Sequence, residues 1–238
     1  MTKREKGADR RERLEAERRA QKAAQRKRNM LTAGIGILAG VLIIGGTAFA
    51  IINQEKNKPS NKDFSAFGVS ASAAQCTPVE KSKVAGSGEH VGPGTNSPNV
   101  TKVTYSTVPP TSGQHYPVWL EPSRHFYSVA DAPVVEQAVH NLEHGYNVLW
   151  YSPTLSEADI STLEGLADKI GGDSDTRKFI VLPWNTAYGA FPAGKTIGIS
   201  HWGKTEGSRQ LCGQVSGEAI AKFVEDHPSS DSPEPNTP

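Results

Sequence analysis

Residues 131–151 of the sequence read DAPVVEQAVHNLEHGYNVLWY and predict a helix followed directly by a strand. Asp131 is a typical N-cap, Pro133 is typical of a first helical turn, and the apolar residues after them recur at helical spacing. Gly145 is a typical helix end, because glycine tolerates the left-handed conformation found there. The apolar run at residues 147–151 then predicts a strand. The body is therefore expected to contain both helices and strands.

The rest of the body continues this alternation of short apolar strands and helices. Strands are predicted at residues 103–107, 147–151, 178–182 and 196–202, and helices at residues 131–145, 156–170 and 216–224. This order predicts an α+β fold, in which about three helices cover a small mixed β-sheet.

An apolar segment at residues 31–52 precedes the body. It has 22 residues and no charged side chain. At ~1.5 Å per residue a helix of this length covers about 33 Å, which is enough to cross a bilayer. The segment therefore predicts one transmembrane helix, with the lipid bilayer as its partner. Gly36 and Gly40 form a small-xxx-small pattern that would allow helix-mediated self-association, although glycine is in any case common in membrane helices.

The charges before this segment predict its orientation. Residues 1–30 carry 12 Lys or Arg and 5 Asp or Glu, a net charge of +7, whereas the whole chain carries +1. The positive-inside rule then predicts a cytoplasmic N-terminus and an extracytoplasmic body at the cell membrane. A cleaved signal peptide is the alternative, because Ala48-Phe49-Ala50 resembles a cleavage site, but the long basic arm and long apolar run favour an uncleaved anchor. The arm is expected to lie against anionic headgroups, and no nucleic-acid partner is expected.

Composition divides the remainder of the 238-residue chain into three parts. Residues 53–75 are small and polar, which predicts a flexible linker. Residues 76–227 are numerous enough to form one domain with a hydrophobic core. Residues 228–238 contain four prolines and no large apolar side chain, which predicts a disordered tail. With only 2 Cys, a disulfide-dense miniprotein and a Cys-rich zinc ribbon are excluded.

Cys76 and Cys212 are both expected on the oxidising side of the membrane, where two thiols usually pair. Their disulfide would close a loop of about 137 residues, which the chain-entropy model values at roughly 4–5 kcal/mol. Two separate metal-ligating or redox thiols are the alternative, and the absence of a Cys-x-x-Cys motif weighs against a redox pair.

Histidines provide the strongest candidate site. His140 and His144 are four residues apart on the predicted helix, so both rings leave the same face and can bind one metal ion. His115 follows the turn-rich stretch PPTSGQ and is the best candidate for a third ligand, with His125 and His201 in reserve. Three imidazoles with an open position suit copper or zinc. The alternative is a set of structural histidines favoured by the helix dipole.

The five residues from His140 to His144 also fit the pattern H-x-x-E-H, in which two histidines bind zinc and the glutamate, here Glu143, activates water. Such an enzyme needs a distal acidic ligand, for which Glu218 is available. The helix is expected to stop at Gly145 and the body is small for this architecture. A hydrolase with Glu143 as its catalytic base is therefore the less favoured interpretation.

Two motifs carry a resemblance to a known family. The stretch PPTSGQH at residues 109–115, then Trp119, and AVHNLEHG at residues 138–145 together resemble the bacterial domain-of-unknown-function 3105 family (DUF3105), over about residues 88–225. Its members look like membrane-anchored or secreted proteins without an established activity, so the resemblance implies a location and no reaction. The resemblance implies a site shared with the family, formed here by His115, His140, Glu143 and His144.

Taken together, these patterns predict a single-pass extracytoplasmic protein that binds copper or zinc through His115, His140 and His144. Binding or handling of the ion is favoured over catalytic turnover. The alternatives are a non-enzymatic envelope module, which has structural histidines and binds a protein partner, and the metal-dependent hydrolase.

Overall fold

The computed structural model describes residues 3–172 and 178–238. The chain forms two units, of which the first ends at Asn57 and the second covers Lys58–Pro238. The first unit is one helix, α1 (Lys3–Asn57), which contains the predicted apolar segment and is long and apolar enough to cross a membrane. In its polar part, opposite charges one turn apart support the helix, as in the exposed pair of Glu15 and Arg19.

The second unit is built on a five-stranded mixed sheet in the order β1-β5-β4-β2-β3. Neighbouring strands are antiparallel except β2 and β3, which are parallel and joined through helix α3 (Glu157–Gly171). The strands are β1 (Glu80–Lys83), β2 (Asn147–Tyr151), β3 (Phe179–Pro183), β4 (Ile197–Trp202) and β5 (Glu206–Cys212).

Side chains of the central strand β2 alternate between two apolar layers. Val148 and Trp150 pack with helix α2 (Val135–Glu143) on one face of the sheet. Leu149 and Tyr151 pack with α3 and helix α4 (Gly217–Asp226) on the other. All four side chains are fully buried. The α+β class, the mixed sheet and the three covering helices predicted from the sequence are confirmed.

The strand predicted at residues 103–107 is not formed. The backbone N–H of Val103 donates instead to the buried carboxylate of Glu136 at 2.8 Å, and the hydroxyl of Tyr105 donates to the carbonyl of Gln114. Strands β1 and β5 were not predicted, because their sequences EKSK and EGSRQLC are polar. Of the two, β1 lies at an edge of the sheet. Charged residues are typical of exposed sheet edges, which they protect from further pairing.

Residues 53–75 differ from the flexible linker that their composition predicts. Helix α1 continues to Asn57, and the residues after it are part of the second unit. Phe67 is 4% exposed within the apolar layer of α3 and α4, and its carbonyl accepts the N–H of Gly217. Phe64 packs against the same layer. The two phenylalanines attach this stretch together with backbone hydrogen bonds, such as that from the N–H of Val69 to the carbonyl of Val215.

Residues 228–238, called here the C-terminal strap, are also ordered rather than forming the predicted disordered tail. The ammonium group of Lys178 donates to the carbonyls of His144 at 2.7 Å, Pro235 at 3.0 Å and Thr237 at 2.6 Å. Ser232 is fully buried. The strap has little apolar surface to bury, so hydrogen bonds to its backbone hold it in place.

Cys76 and Cys212 form the predicted disulfide. It joins the segment before β1 to the last residue of β5, so the chain is closed covalently across most of the second unit.

Candidate metal centre

The C-terminal end of helix α2 supplies two of the candidate ligands. His140 and Glu143 are three residues apart and therefore share one face of the helix. The helix ends as predicted: His144 is its C-cap, and Gly145 follows with φ = 93°. A Cβ on Gly145 would lie 2.6 Å from the carbonyl oxygen of Ser229, so glycine at this position also admits the C-terminal strap.

His115 reaches this helix from the loop at residues 109–115, PPTSGQH, called here the Pro-rich loop. Its Nδ1 atom lies 2.8 Å from the carbonyl oxygen of Gly113, and because a carbonyl only accepts, Nδ1 carries the proton. The other ring nitrogen, Nε2, faces helix α2 and lies 2.9 Å from Oε2 of Glu143. Both side chains are fully buried. The second carboxylate oxygen of Glu143 accepts the N–H of Gly88 at 2.7 Å.

His90 is the third imidazole next to these two residues, and it was not predicted. Its loop is paired with the His115 loop: the N–H of Val91 donates to the carbonyl of His115, and the N–H of His115 donates to the carbonyl of Glu89. The ring centroid of His90 lies 4.9 Å from those of His115 and His140. An isolated histidine in a glycine-rich loop has no spacing signal, so only the pairing of the two loops reveals it.

Candidate ligand atoms from His90, His115, His140 and Glu143 all lie within 4.8 Å of one another, the one such group in the described part of the chain. The Nδ1 atom of His140 is 2.6 Å from the carbonyl oxygen of Tyr116, so this ring, like that of His115, keeps its proton on Nδ1. Metal-binding histidines usually donate their second N–H in this way, which fixes the ring and leaves Nε2 free for the ion.

The protonation of these groups also suits a ligand set. Burial lowers the pKa of His140 to about 4, against the opposing effect of its bond to Tyr116, so the ring is neutral at pH 7. Burial alone would raise the pKa of Glu143, but contact with His115 when that ring is protonated on both nitrogens, with further bonds from Ser87 and Gly88, lowers it to about 2. A neutral imidazole and an ionised carboxylate are the forms that bind metal ions.

His144 lies beside this group but is not a member of it. Its Nδ1 donates to the carbonyl of Pro238 at 2.8 Å, and its Nε2 is 3.6 Å from a carboxylate oxygen of Glu234. Of the predicted triad, the structure brings His115 and His140 together, and Glu143 takes the place expected for His144. The reason is the helix end, since His144 is the C-cap and is engaged by the C-terminal strap.

This arrangement differs from the one that an H-x-x-E-H hydrolase requires. There both histidines bind the ion and the glutamate stands off it as the base. Here Glu143 is among the candidate ligands and His144 is not. The proposed distal ligand, Glu218, instead accepts the N–H of Ala71 at 2.9 Å.

The two histidines held in reserve also lie outside the group. The Nδ1 of His125 lies 2.8 Å from the carbonyl oxygen of Phe179. His201 is fully buried beside His227, with ring centroids 5.6 Å apart.

Trp119 is the aromatic residue that borders the site. Its ring centroid lies 5.3 Å from that of His140 and 5.1 Å from that of His144. The side-chain amide of Asn141 holds this segment on helix α2, because it accepts the N–H of Leu120 and donates to the carbonyl of the same residue. Trp119 remains 38% exposed, so it is a natural fluorescent reporter of the site.

Comparison with known proteins identifies a family and no activity. No curated protein and no solved structure shows significant similarity to the chain. The family model described as a protein of unknown function, DUF3105, matches residues 97–238. The match starts later than the resemblance in the sequence indicates and includes the C-terminal strap, whereas His90 and Cys76 precede it. Because the match spans more than half of the chain, this protein belongs to the DUF3105 family.

Proposed function

We propose that this protein binds one divalent transition-metal ion, zinc or copper, through His90, His115, His140 and Glu143. The observation that carries the proposal is the orientation of the two buried rings. In both His115 and His140, Nδ1 is committed to a backbone carbonyl, which leaves Nε2 as the ligand atom, and both rings belong to a group that contains a buried carboxylate.

The chemistry of the donors supports the choice of ion. Three imidazoles and one carboxylate suit zinc and copper(II), whereas copper(I) prefers thiolate or thioether sulfur. Both cysteines are paired in the disulfide. The close approach of His115 and Glu143 at 2.9 Å is also compatible with a shared ion. Two atoms about 2.0–2.1 Å from one tetrahedral ion are about 3.3 Å from each other, so the pair needs to separate only slightly to hold it.

Binding or handling of the ion is the proposed role, rather than turnover. Catalytic zinc sites usually have three protein ligands and keep a position for water or substrate. Four protein ligands, three of them buried, would fill a tetrahedral ion and leave no such position.

We further propose that helix α1 anchors the protein in the cell membrane, with the N-terminus in the cytoplasm and the second unit outside. The length and composition of the helix and the basic residues before its apolar part support this orientation. The disulfide between Cys76 and Cys212 is in keeping with an oxidising compartment. In cells that carry an epitope tag at each end, externally added protease should remove the C-terminal tag only.

The metal-binding proposal is tested by elemental analysis and calorimetric titration of the full chain in detergent. We expect one zinc or copper(II) ion per chain, and loss of this stoichiometry when His115→Ala and His140→Ala are combined. His125→Ala is the matched control, because it removes a histidine outside the group and should keep the ion. Stoichiometric uptake that survives the double substitution would exclude the proposed ligands.

A further inference from the structure

We propose that His90 is the exchange ligand of this centre, through which the ion enters and leaves while His115, His140 and Glu143 stay in place. The inference rests on the metal-binding function proposed above and adds how the site is loaded and emptied.

The first argument is the unequal burial of the four side chains. His90 is exposed, whereas His115, His140 and Glu143 are buried. Solvent, and any molecule that delivers or accepts the ion, therefore reaches the group from the His90 side.

The second argument is the unequal restraint of the rings. His115 and His140 each donate Nδ1–H to a carbonyl, and Glu143 accepts the N–H of Gly88. The ring of His90 has neighbouring aromatic rings at about 4.9 Å but no hydrogen-bond partner among the residues that the structure describes. No hydrogen bond in this part of the chain fixes its tautomer, and only ring contacts restrain its rotamer.

The backbone on both sides of His90 is nevertheless held firmly. A Cβ on Gly86 would lie 2.4 Å from the carbonyl carbon of Gly113, and one on Gly92 would lie 2.6 Å from the ring of Tyr116, so glycine permits close contact at both positions. Rotation of the exposed side chain, which takes picoseconds to nanoseconds, is therefore the available motion, rather than opening of the loop.

The exchange step is a substitution at the metal and involves no redox change. The bond between the ion and the His90 nitrogen breaks, and its electron pair returns to the neutral ring. A donor atom of the incoming molecule then supplies an electron pair to the position that His90 has left. An imidazole, a thiolate or an aminocarboxylate chelator is a suitable donor.

The test compares the rates at which zinc leaves the full-length chain in detergent. Zinc-loaded protein is mixed with excess 4-(2-pyridylazo)resorcinol, a coloured chelator, and the rate is read from absorbance for the wild type and the variants. We expect His90→Ala to keep one zinc ion and to release it more than about tenfold faster than the wild type. Tenfold is the lower end of the loss in metal affinity that follows when a hydrogen-bond partner of a metal ligand is removed. Glu89→Gln, at the adjacent exposed position, should release zinc at the wild-type rate, and His115→Ala should not retain the ion.

Each result separates this inference from the function on which it rests. A wild-type chain that binds no zinc or copper overturns both. If the wild type binds zinc, an unchanged release rate in His90→Ala shows that His90 does not hold the ion. Complete loss of zinc in His90→Ala, as in His115→Ala, also contradicts the inference, because the three buried ligands would then be unable to retain the ion without it.

Discussion

The Nε2 atom of His115 lies 2.9 Å from Oε2 of Glu143, and neither side chain has any exposed surface. This contact joins the Pro-rich loop to the end of helix α2 in the interior of the domain. Because Nδ1 of His115 already donates to Gly113, the opposite nitrogen can meet a carboxylate favourably only when a proton or a metal ion lies between them.

Glu143→Gln should abolish most of the stabilisation that a metal ion gives to the protein. The amide keeps the size of the side chain and can still accept the N–H of Gly88, but it removes the charged ligand atom. We expect affinity for zinc to fall at least about 100-fold. Removing only a hydrogen-bond partner of a metal ligand already costs up to about 100-fold, and Glu143 is proposed as a ligand itself. The measurement is the melting temperature with and without zinc.

Glu136→Gln is the matched control for this experiment. Glu136 is equally buried on the same helix, but its carboxylate accepts from Val103 and Tyr188 and is not part of the candidate group. This variant should melt earlier yet keep the metal-dependent rise in melting temperature. Loss of that rise in both variants would indicate a general effect of removing buried charge.

His144→Ala and His140→Ala should separate a neighbour of the site from a ligand. His144 donates to Pro238 rather than to the candidate group, and its ring is buried. Its removal should therefore reduce stability by about 2 kcal/mol or more, since a hydrogen bond is lost and a cavity is left. Zinc binding should persist in His144→Ala and be lost in His140→Ala. Titration calorimetry of both variants distinguishes the two roles. Loss of zinc binding in His144→Ala but not in His140→Ala would make His144 the ligand instead.

Lys178→Met should release the C-terminal strap. The lysine donates to three carbonyls, two of them in the strap, and burial lowers its pKa. Its removal should cost about 2 kcal/mol after allowance for its partial exposure, since bonds to a charged donor contribute about 1.5–3 kcal/mol each and are not additive. Limited proteolysis should then cut within residues 228–238.

Lys222→Met provides the comparison, because this exposed lysine pairs only locally with Asp226 one turn away. It should change neither stability nor the cleavage pattern appreciably. Equal proteolysis of both variants and the wild type would show that Lys178 does not hold the strap.

Acid should destabilise the metal-free protein through His201. Burial lowers the pKa of this histidine from 6.5 to about 4, with His227 and Lys81 acting in the same direction. Between these two values the unfolded chain binds more protons than the native protein, so the free energy of unfolding falls as pH decreases from about 6.5 to 4. The loss due to His201 should reach about 2 kcal/mol at pH 5.

Urea denaturation at pH 7.5 and pH 5 in the presence of a chelator measures this effect. The variant His201→Gln should lose less stability between the two values than the wild type does. His140 and His227, whose pKa values are also lowered by burial, remain in both proteins, so the difference reports His201 together with its interaction with His227. Identical losses would contradict the assignment.

The helices and central strands were predictable because each has a local signal. Ser156 caps helix α3 by accepting the N–H of Asp159, and Gly145 ends helix α2 with a positive φ. Strands β1 and β5 have no comparable signal, since the polar β5 forms through its pairing with β4 and β1.

The candidate site was predicted in part for the same reason. His140 and His115 stand in recognisable motifs, whereas His90 joins them through backbone pairing between two loops that are distant in sequence. The exclusion of His144 also depends on a distant partner, because the C-terminal strap engages its ring. Composition predicts disorder for the strap, whereas hydrogen bonds from distant residues, among them Lys178 and His144, explain its order.

The disulfide has a topological consequence for metal retention. His90, His115, His140 and Glu143 all belong to the stretch that Cys76 and Cys212 close into a covalent ring. When heat or stress unfolds the protein, the intact disulfide therefore keeps all four ligand residues within one closed loop. Their local concentration is then higher than in an unfolded chain whose cysteines are reduced. Recapture of a lost ion should accordingly be faster in the oxidised form than after reduction.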